Sequence, residues 1–129
     1  MTEEDPGPPP TLPLGVEPVR TDSGLEYFDT SPGTGAAAKS GSRVRVSYRA
    51  WLTDGTIFET TAARGGAVEF VLGAGTVIPA LEEGIAGMQV GGKRRLIVPS
   101  DLAYGSVGRA PSVPSFATLI YDVELLSVR

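Results

Sequence analysis

The sequence contains no cysteine and no histidine. These absences remove thiolate and imidazole nucleophiles, zinc sites built on Cys and His, and every triad with an imidazole base. Any chemistry must use carboxylates, hydroxyls, cations or shape. Without cysteine, the chain fits a reducing or an oxidising compartment equally. No apolar run approaches the roughly 20 residues that span a bilayer, so the chain as written reads as soluble, with no membrane partner. A charge excess is also missing where it would matter. The net charge of -4 comes from residues 1–22, where Glu3, Glu4, Asp5, Glu17 and Asp22 face only Arg20. From Ser23 onward acids and bases balance, and Lys93-Arg94-Arg95 is too short a run to make a nucleic-acid footprint.

What is present fits one ordinary domain of 129 residues, large enough for a single hydrophobic core. Residues 1–22 carry Pro6, Pro8, Pro9, Pro10, Pro13 and Pro18 with few core-forming residues, which predicts an acidic, extended or disordered leader. The leader has no basic segment followed by an apolar run, so it does not read as a secretory signal. The expectation is a cytoplasmic protein as written, exported if a native signal has been removed. Residues 23–129 form the folded domain.

Strict alternation from Arg43 to Leu52 predicts a half-buried strand with Val44, Val46, Tyr48, Ala50 and Leu52 on one face and Trp51 on the other. Asp54-Gly55 predicts a hairpin returning through Ile57 and Phe58. Further strands are expected at Val68 to Leu72, Arg94 to Val98 and Ala117 to Val128, with an edge at Leu25 to Asp29. Pro79 suits a first helical position, Glu82 and Glu83 suit the positive end, and Gly87 suits a stop. The expected class is α+β: a curved antiparallel sheet of five or six strands wrapped around one short helix. Isolated helices are marginal below roughly 12–15 residues, so packing of Leu81, Ile85 and Met88 must hold this one.

Gly87-Met88-Gln89-Val90-Gly91-Gly92-Lys93 imitates a phosphate-binding loop, but Arg94 stands where Ser or Thr belongs. The order is also helix then strand, the reverse of what aims amides at phosphate. A glycine-rich turn is the better reading. Glycoside hydrolysis needs two convergent carboxylates, and nothing in the spacing pairs them.

The informative residues are dispersed. The runs Val46 to Glu59 (VSYRAWLTDGTIFE), Val77 to Lys93 (VIPALEEGIAGMQVGGK), Ala103-Tyr104-Gly105 and Ala117 to Leu126 (ATLIYDVELL) resemble the successive signatures of the FKBP-type peptidyl-prolyl isomerases, from about Ser23 to the end. The resemblance implies an FKBP-like fold and a pocket floored by Leu81 and walled by Tyr48, Phe58, Val68, Val77, Ile78, Tyr104, Val113 and Tyr121. It assigns Tyr48, Phe58, Glu59, Leu81, Tyr104 and Tyr121 to catalysis, and Arg64, Val68, Val77, Ile78 and Val113 to substrate binding. The Ile78 amide and the Tyr104 hydroxyl would donate to carbonyls of the bound peptide. An ion pair of Glu59 with Arg64 would orient the Tyr48 hydroxyl. The plain alternative, that these apolar residues are only core, is the reading adopted for Phe70, Leu96, Val98 and Leu119.

Several positions depart from the family pattern. Glu59 replaces an aspartate, Leu81 a large aromatic as in many bacterial members, Val68 an aromatic wall, Tyr121 a phenylalanine, and Arg109 and Ser112 a histidine and an isoleucine. The pocket should be more open and slightly more polar. The resemblance implies a monomeric isomerase of X-Pro bonds that assists protein folding, acts on proline-containing polypeptides, binds macrolide immunosuppressants weakly and needs no metal or other cofactor. The rival reading is a proline-peptide binding module that keeps the fold without the catalysis. A chaperone-like helper is less fitting, because no inserted domain separates Tyr104 from Val113.

Overall fold

The alternation that begins at Arg43 produces the longest ladder of the protein. Strand β3 (Arg43–Leu52) pairs antiparallel with β7 (Leu119–Val128) from Val44 opposite Val128 to Leu52 opposite Leu119. This computed structural model describes residues 18–53, 56–61, 66–105, 108 and 113–129. The expected Asp54-Gly55 hairpin, Arg64, Arg109, Ser112 and residues 1–17 of the expected leader lie outside the described residues. Along the ladder, Val44, Val46, Tyr48 and Ala50 of β3 and Leu119, Tyr121, Val123 and Leu125 of β7 are all buried. One register shift, between Arg45 and Val46, leaves Leu126 without an opposite residue, and its side chain is among the exposed large apolar groups.

Strand β6 (Lys93–Val98) lies on the other side of β7, followed outward by β2 (Glu26–Ser31) and β1 (Val19–Arg20). On the opposite edge of β3, β4 (Ile57–Thr60) and β5 (Val68–Val71) take successive stretches of the same strand. The described residues thus form one antiparallel sheet of seven strands, against the five or six expected. The additional strand is β1, within the stretch read as a leader. There extended backbone finds the free edge of β2, and Arg20 Nη1 lies 3.3 Å from Glu26 Oε2. Trp51 keeps the outward parity of β3, yet it is only 2% exposed and its indole N–H has no hydrogen-bond partner among the described residues.

Helix α1 (Pro79–Ile85) begins as expected: Ile78 is extended, Pro79 follows, and Glu82 sits in the first turn. It stops where Gly87 adopts a φ of +88°, a conformation that favours glycine. With seven residues it is far below the length at which a helix holds itself. Three contacts hold it instead. Ala80, Leu81, Gly84 and Ile85 are buried. Gly84 meets β6 so closely that an added Cβ would stand 2.6 Å from Leu96 Cδ1, and Leu96 is itself fully buried. Arg94 of β6 supplies the cation that the last helical turn lacks, donating from Nη1 to the Gly84 carbonyl at 3.0 Å and to the Ala86 carbonyl at 3.4 Å. Its Nε donates to Asp29 at 2.8 Å, and its guanidinium lies 4.3 Å over the Tyr27 ring.

The turn from α1 into β6 uses its amides internally. Val90 N–H donates to Ala36 O, Gly91 N–H to Leu125 O and Gly92 N–H to Gln89 O, so the imitation of a phosphate loop is a structural turn.

Two substitutions test these supports. Gly84→Ala gains about 1 kcal/mol of helix propensity but overpacks an immobile Leu96 at a cost of about 1–3 kcal/mol. The net expectation is a lower urea midpoint with an unchanged slope. Arg94→Met leaves two helix carbonyls and Asp29 without their charged donor and should lower stability by about 2 kcal/mol in the same titration.

Candidate active site

In a regular strand, neighbouring side chains point to opposite faces. Ala50 is opposite Glu59, but Trp51 is opposite Ile57, so Phe58 is an extra residue in β4. This bulge turns Phe58 and Glu59 toward the same region. The Phe58 ring meets Tyr121 edge-on with centroids 6.2 Å apart, and Tyr48 donates its hydroxyl to Glu59 Oε2 at 2.9 Å. Tyr48 and Tyr121, on neighbouring strands, pack with centroids 5.4 Å apart. The backbone of Tyr48 is pinned by Thr61, whose Oγ1 accepts from Tyr48 N–H at 3.1 Å while Thr61 N–H donates to Tyr48 O.

Leu81 comes from the first turn of α1 and is 3% exposed. Val77 and Ile78 lead into that helix and are half-buried against the core. Ile78 O accepts from Leu81 and Glu82 N–H, and Ile78 N–H has no partner among the described residues. The approach to the helix is fixed by Glu82, whose Oε2 accepts from Gly73 N–H at 3.1 Å and Gly75 N–H at 2.9 Å. Glu83 accepts from the Ser23 hydroxyl at 2.7 Å. Their place in the sequence shows both glutamates only as suited to the positive end of the helix. Their holding of neighbouring turns was not legible, because the partners are a backbone segment and a distant serine.

Tyr104 follows the 3-10 turn Ser100–Leu102, which is closed by Gly105 N–H donating to Ser100 O at 2.8 Å. Tyr104 is half-buried, Val113 is 3% exposed, and both belong to or pack on the same core cluster as Leu81 and Tyr121. Val68 packs there too. Tyr48, Phe58, Glu59 and Tyr121 are linked by these contacts, and Val68, Val77, Ile78, Leu81, Tyr104 and Val113 belong to or pack on the core cluster that holds Tyr48 and Tyr121. The proposed ion pair with Arg64 lies outside the described residues. Phe70, Leu96, Val98 and Leu119 are buried core, as expected.

Tyr121 is the polar surprise of the site. Its ring is 1% exposed. Burial holds its phenol well above the ordinary tyrosine value, and the neighbouring Tyr104, Glu59 and Tyr48, with a hydrogen bond to the Tyr104 side chain, push it the same way. A phenylalanine there would have no such group. The sign for stability follows. The fold favours the neutral phenol, so this contribution is complete below the ordinary value of 10.0 and is lost as pH rises above it. Wild type should lose more denaturant stability than Tyr121→Phe between about pH 9 and pH 11, the other titrating groups being common to both proteins.

Residues 35–126 match the family described as FKBP-type peptidyl-prolyl cis-trans isomerase. The chain is 48% identical over 91 residues to peptidyl-prolyl cis-trans isomerase FKBP15-1 of Arabidopsis thaliana, covering 70% of this chain and 60% of that protein. It is 42% identical over 105 residues to an FK506-binding protein of Neisseria meningitidis serogroup B, covering 81% of this chain and 96% of that protein. Among solved structures, AtFKBP13 superimposes with a TM-score of 0.82 at 30% identity, covering 88% of this chain and all of that one. The chain spans less than two thirds of the length of several curated relatives, such as 56% of FKBP15-2 from Arabidopsis thaliana. This chain belongs to the FKBP-type peptidyl-prolyl cis-trans isomerase family.

Proposed function

We propose that the protein is a peptidyl-prolyl cis-trans isomerase that accelerates rotation about X-Pro bonds and so assists protein folding. The observation that carries this reading is the convergence of Tyr48, Phe58 and Tyr121 into one aromatic wall beside Leu81 and Tyr104. An X-Pro bond isomerises unaided in tens to hundreds of seconds, against an amide-resonance barrier of about 18–20 kcal/mol. At the twisted transition state resonance is lost and the amide is less dipolar, so an apolar wall suits it better than the planar ground state. Differential binding of this kind needs no nucleophile, and each 1.36 kcal/mol is about tenfold in rate.

In this reading Leu81, Phe58 and Tyr121 desolvate the prolyl ring. The Ile78 N–H and the Tyr104 hydroxyl hold the substrate carbonyls, and Val68, Val77 and Val113 complete the walls. Glu59 accepts from the Tyr48 hydroxyl and fixes its direction, and Arg64 pairs with Glu59. The partners are proline-containing polypeptides. Weak macrolide binding and a monomeric state belong to the same proposal.

The alternative, a proline-peptide binding module that keeps the fold without the catalysis, is favoured by the departures from the family pattern at Glu59, Val68 and Ser112. Exchange-spectroscopy NMR on an Ala-Leu-Pro-Phe peptide separates the two readings. Isomerase activity predicts faster cis/trans exchange with catalytic protein, abolished in Tyr121→Ala and reduced about three- to tenfold in Tyr104→Phe for the loss of one hydrogen bond. Peptide shifts without faster exchange would establish the binding module.

A further inference from the structure

Phe116 is 70% exposed, and with a φ of +59° it is the one non-glycine residue with positive φ among those described. A left-handed backbone brings Cβ against the following carbonyl, which glycine avoids and asparagine tolerates, whereas a bulky side chain there is an outlier. A single exposed aromatic needs no explanation by itself. One that also holds an unfavourable backbone serves neither hydration nor local conformation.

The position of Phe116 supplies the third observation. Its N–H donates to Gly105 O at 2.8 Å, so its backbone is fastened next to Tyr104, whose own carbonyl accepts from Gly108 N–H at 2.9 Å. Three residues before it stands Val113, buried in the cluster that contains Leu81 and Tyr121, and three residues after it β7 begins. Phe116 therefore stands in the segment that joins Val113 to Tyr121, tied by its N–H to the residue that follows Tyr104, with its ring largely in solvent. Its neighbours Pro114 and Ser115 are exposed as well, so this stretch of the segment stands on the surface.

We propose that Phe116 is a specificity-determining contact that engages a large apolar side chain of the substrate outside the X-Pro pair. This rests on the reading of the neighbouring site as one that binds X-Pro segments. Aromatic rings are suited to the task, because they offer much contact area for little lost side-chain freedom. The protein would then prefer stretches of unfolded polypeptide in which a proline lies near Leu, Ile or Phe.

The test uses three peptides with one core: Ala-Leu-Pro-Ala alone, the same core flanked by leucines, and the same core flanked by serines. Affinity from NMR titration and cis/trans exchange rate are both read, for wild type and Phe116→Asn. Wild type should favour the leucine-flanked over the serine-flanked peptide by about fivefold. Phe116→Asn should remove that preference, act on the short core as wild type does, and melt no lower than wild type, since asparagine relieves the backbone. The proposal is overturned if wild type shows no preference, if the preference survives in Phe116→Asn, or if the ring instead drives self-association without any preference. Failure to accelerate exchange on the short core would sink the isomerase reading alone, because the affinities still report the preference.

Discussion

Two consecutive strand residues cannot both face one pocket while the ladder runs regularly. The extra residue at Phe58 is therefore the constraint from which the site is built. With β4 in register, either the ring that meets Tyr121 or the carboxylate that accepts from Tyr48 would point away. The long pairing of β3 with β7 sets the other half of the wall, because it places Tyr121 directly opposite Ala50. The small alanine leaves the two tyrosine rings room to tilt against each other at 53°. Shape in this site comes from where the sheet is irregular as much as from where it is regular.

The floor follows a different logic. Leu81 sits on a helix too short to persist alone, and the sheet supplies what the helix lacks: a glycine-to-leucine contact at Gly84, and a cation at its last carbonyls from Arg94. Arg94 is itself fixed by Asp29 on the next strand and by the face of Tyr27. Positive charge so enclosed is tolerable because each donor is matched. The same side chain thus links β2, β6 and α1 beneath the pocket.

Much of this was legible in the chain. The period-two pattern of Arg43 to Leu52 and of Leu119 to Leu125 located the two central strands, because one face of each is fully committed to the core. Pro79 and Gly87 marked the ends of the helix, because each restricts backbone geometry in a known way. Val19–Arg20 escaped, since a two-residue edge strand has no period to read and takes its stability from β2. The bulge escaped because it is a property of pairing between strands. For the same reason the Tyr121 hydroxyl could be noticed as an unusual residue but not as a partner of Tyr104. The outward parity of Trp51 was read correctly, while its near-complete burial was not, since parity says nothing about what covers a face.

Because helix α1, which carries Leu81, has no local stability of its own, it cannot open as a separate unit while the sheet stays intact without losing what makes it a helix. Its backbone amides should therefore belong to the most slowly exchanging class, tied to global opening. The shape around Leu81 thus rests on the same contacts that bind the helix to the sheet, the close approach of Gly84 to Leu96 and the donors of Arg94 among them.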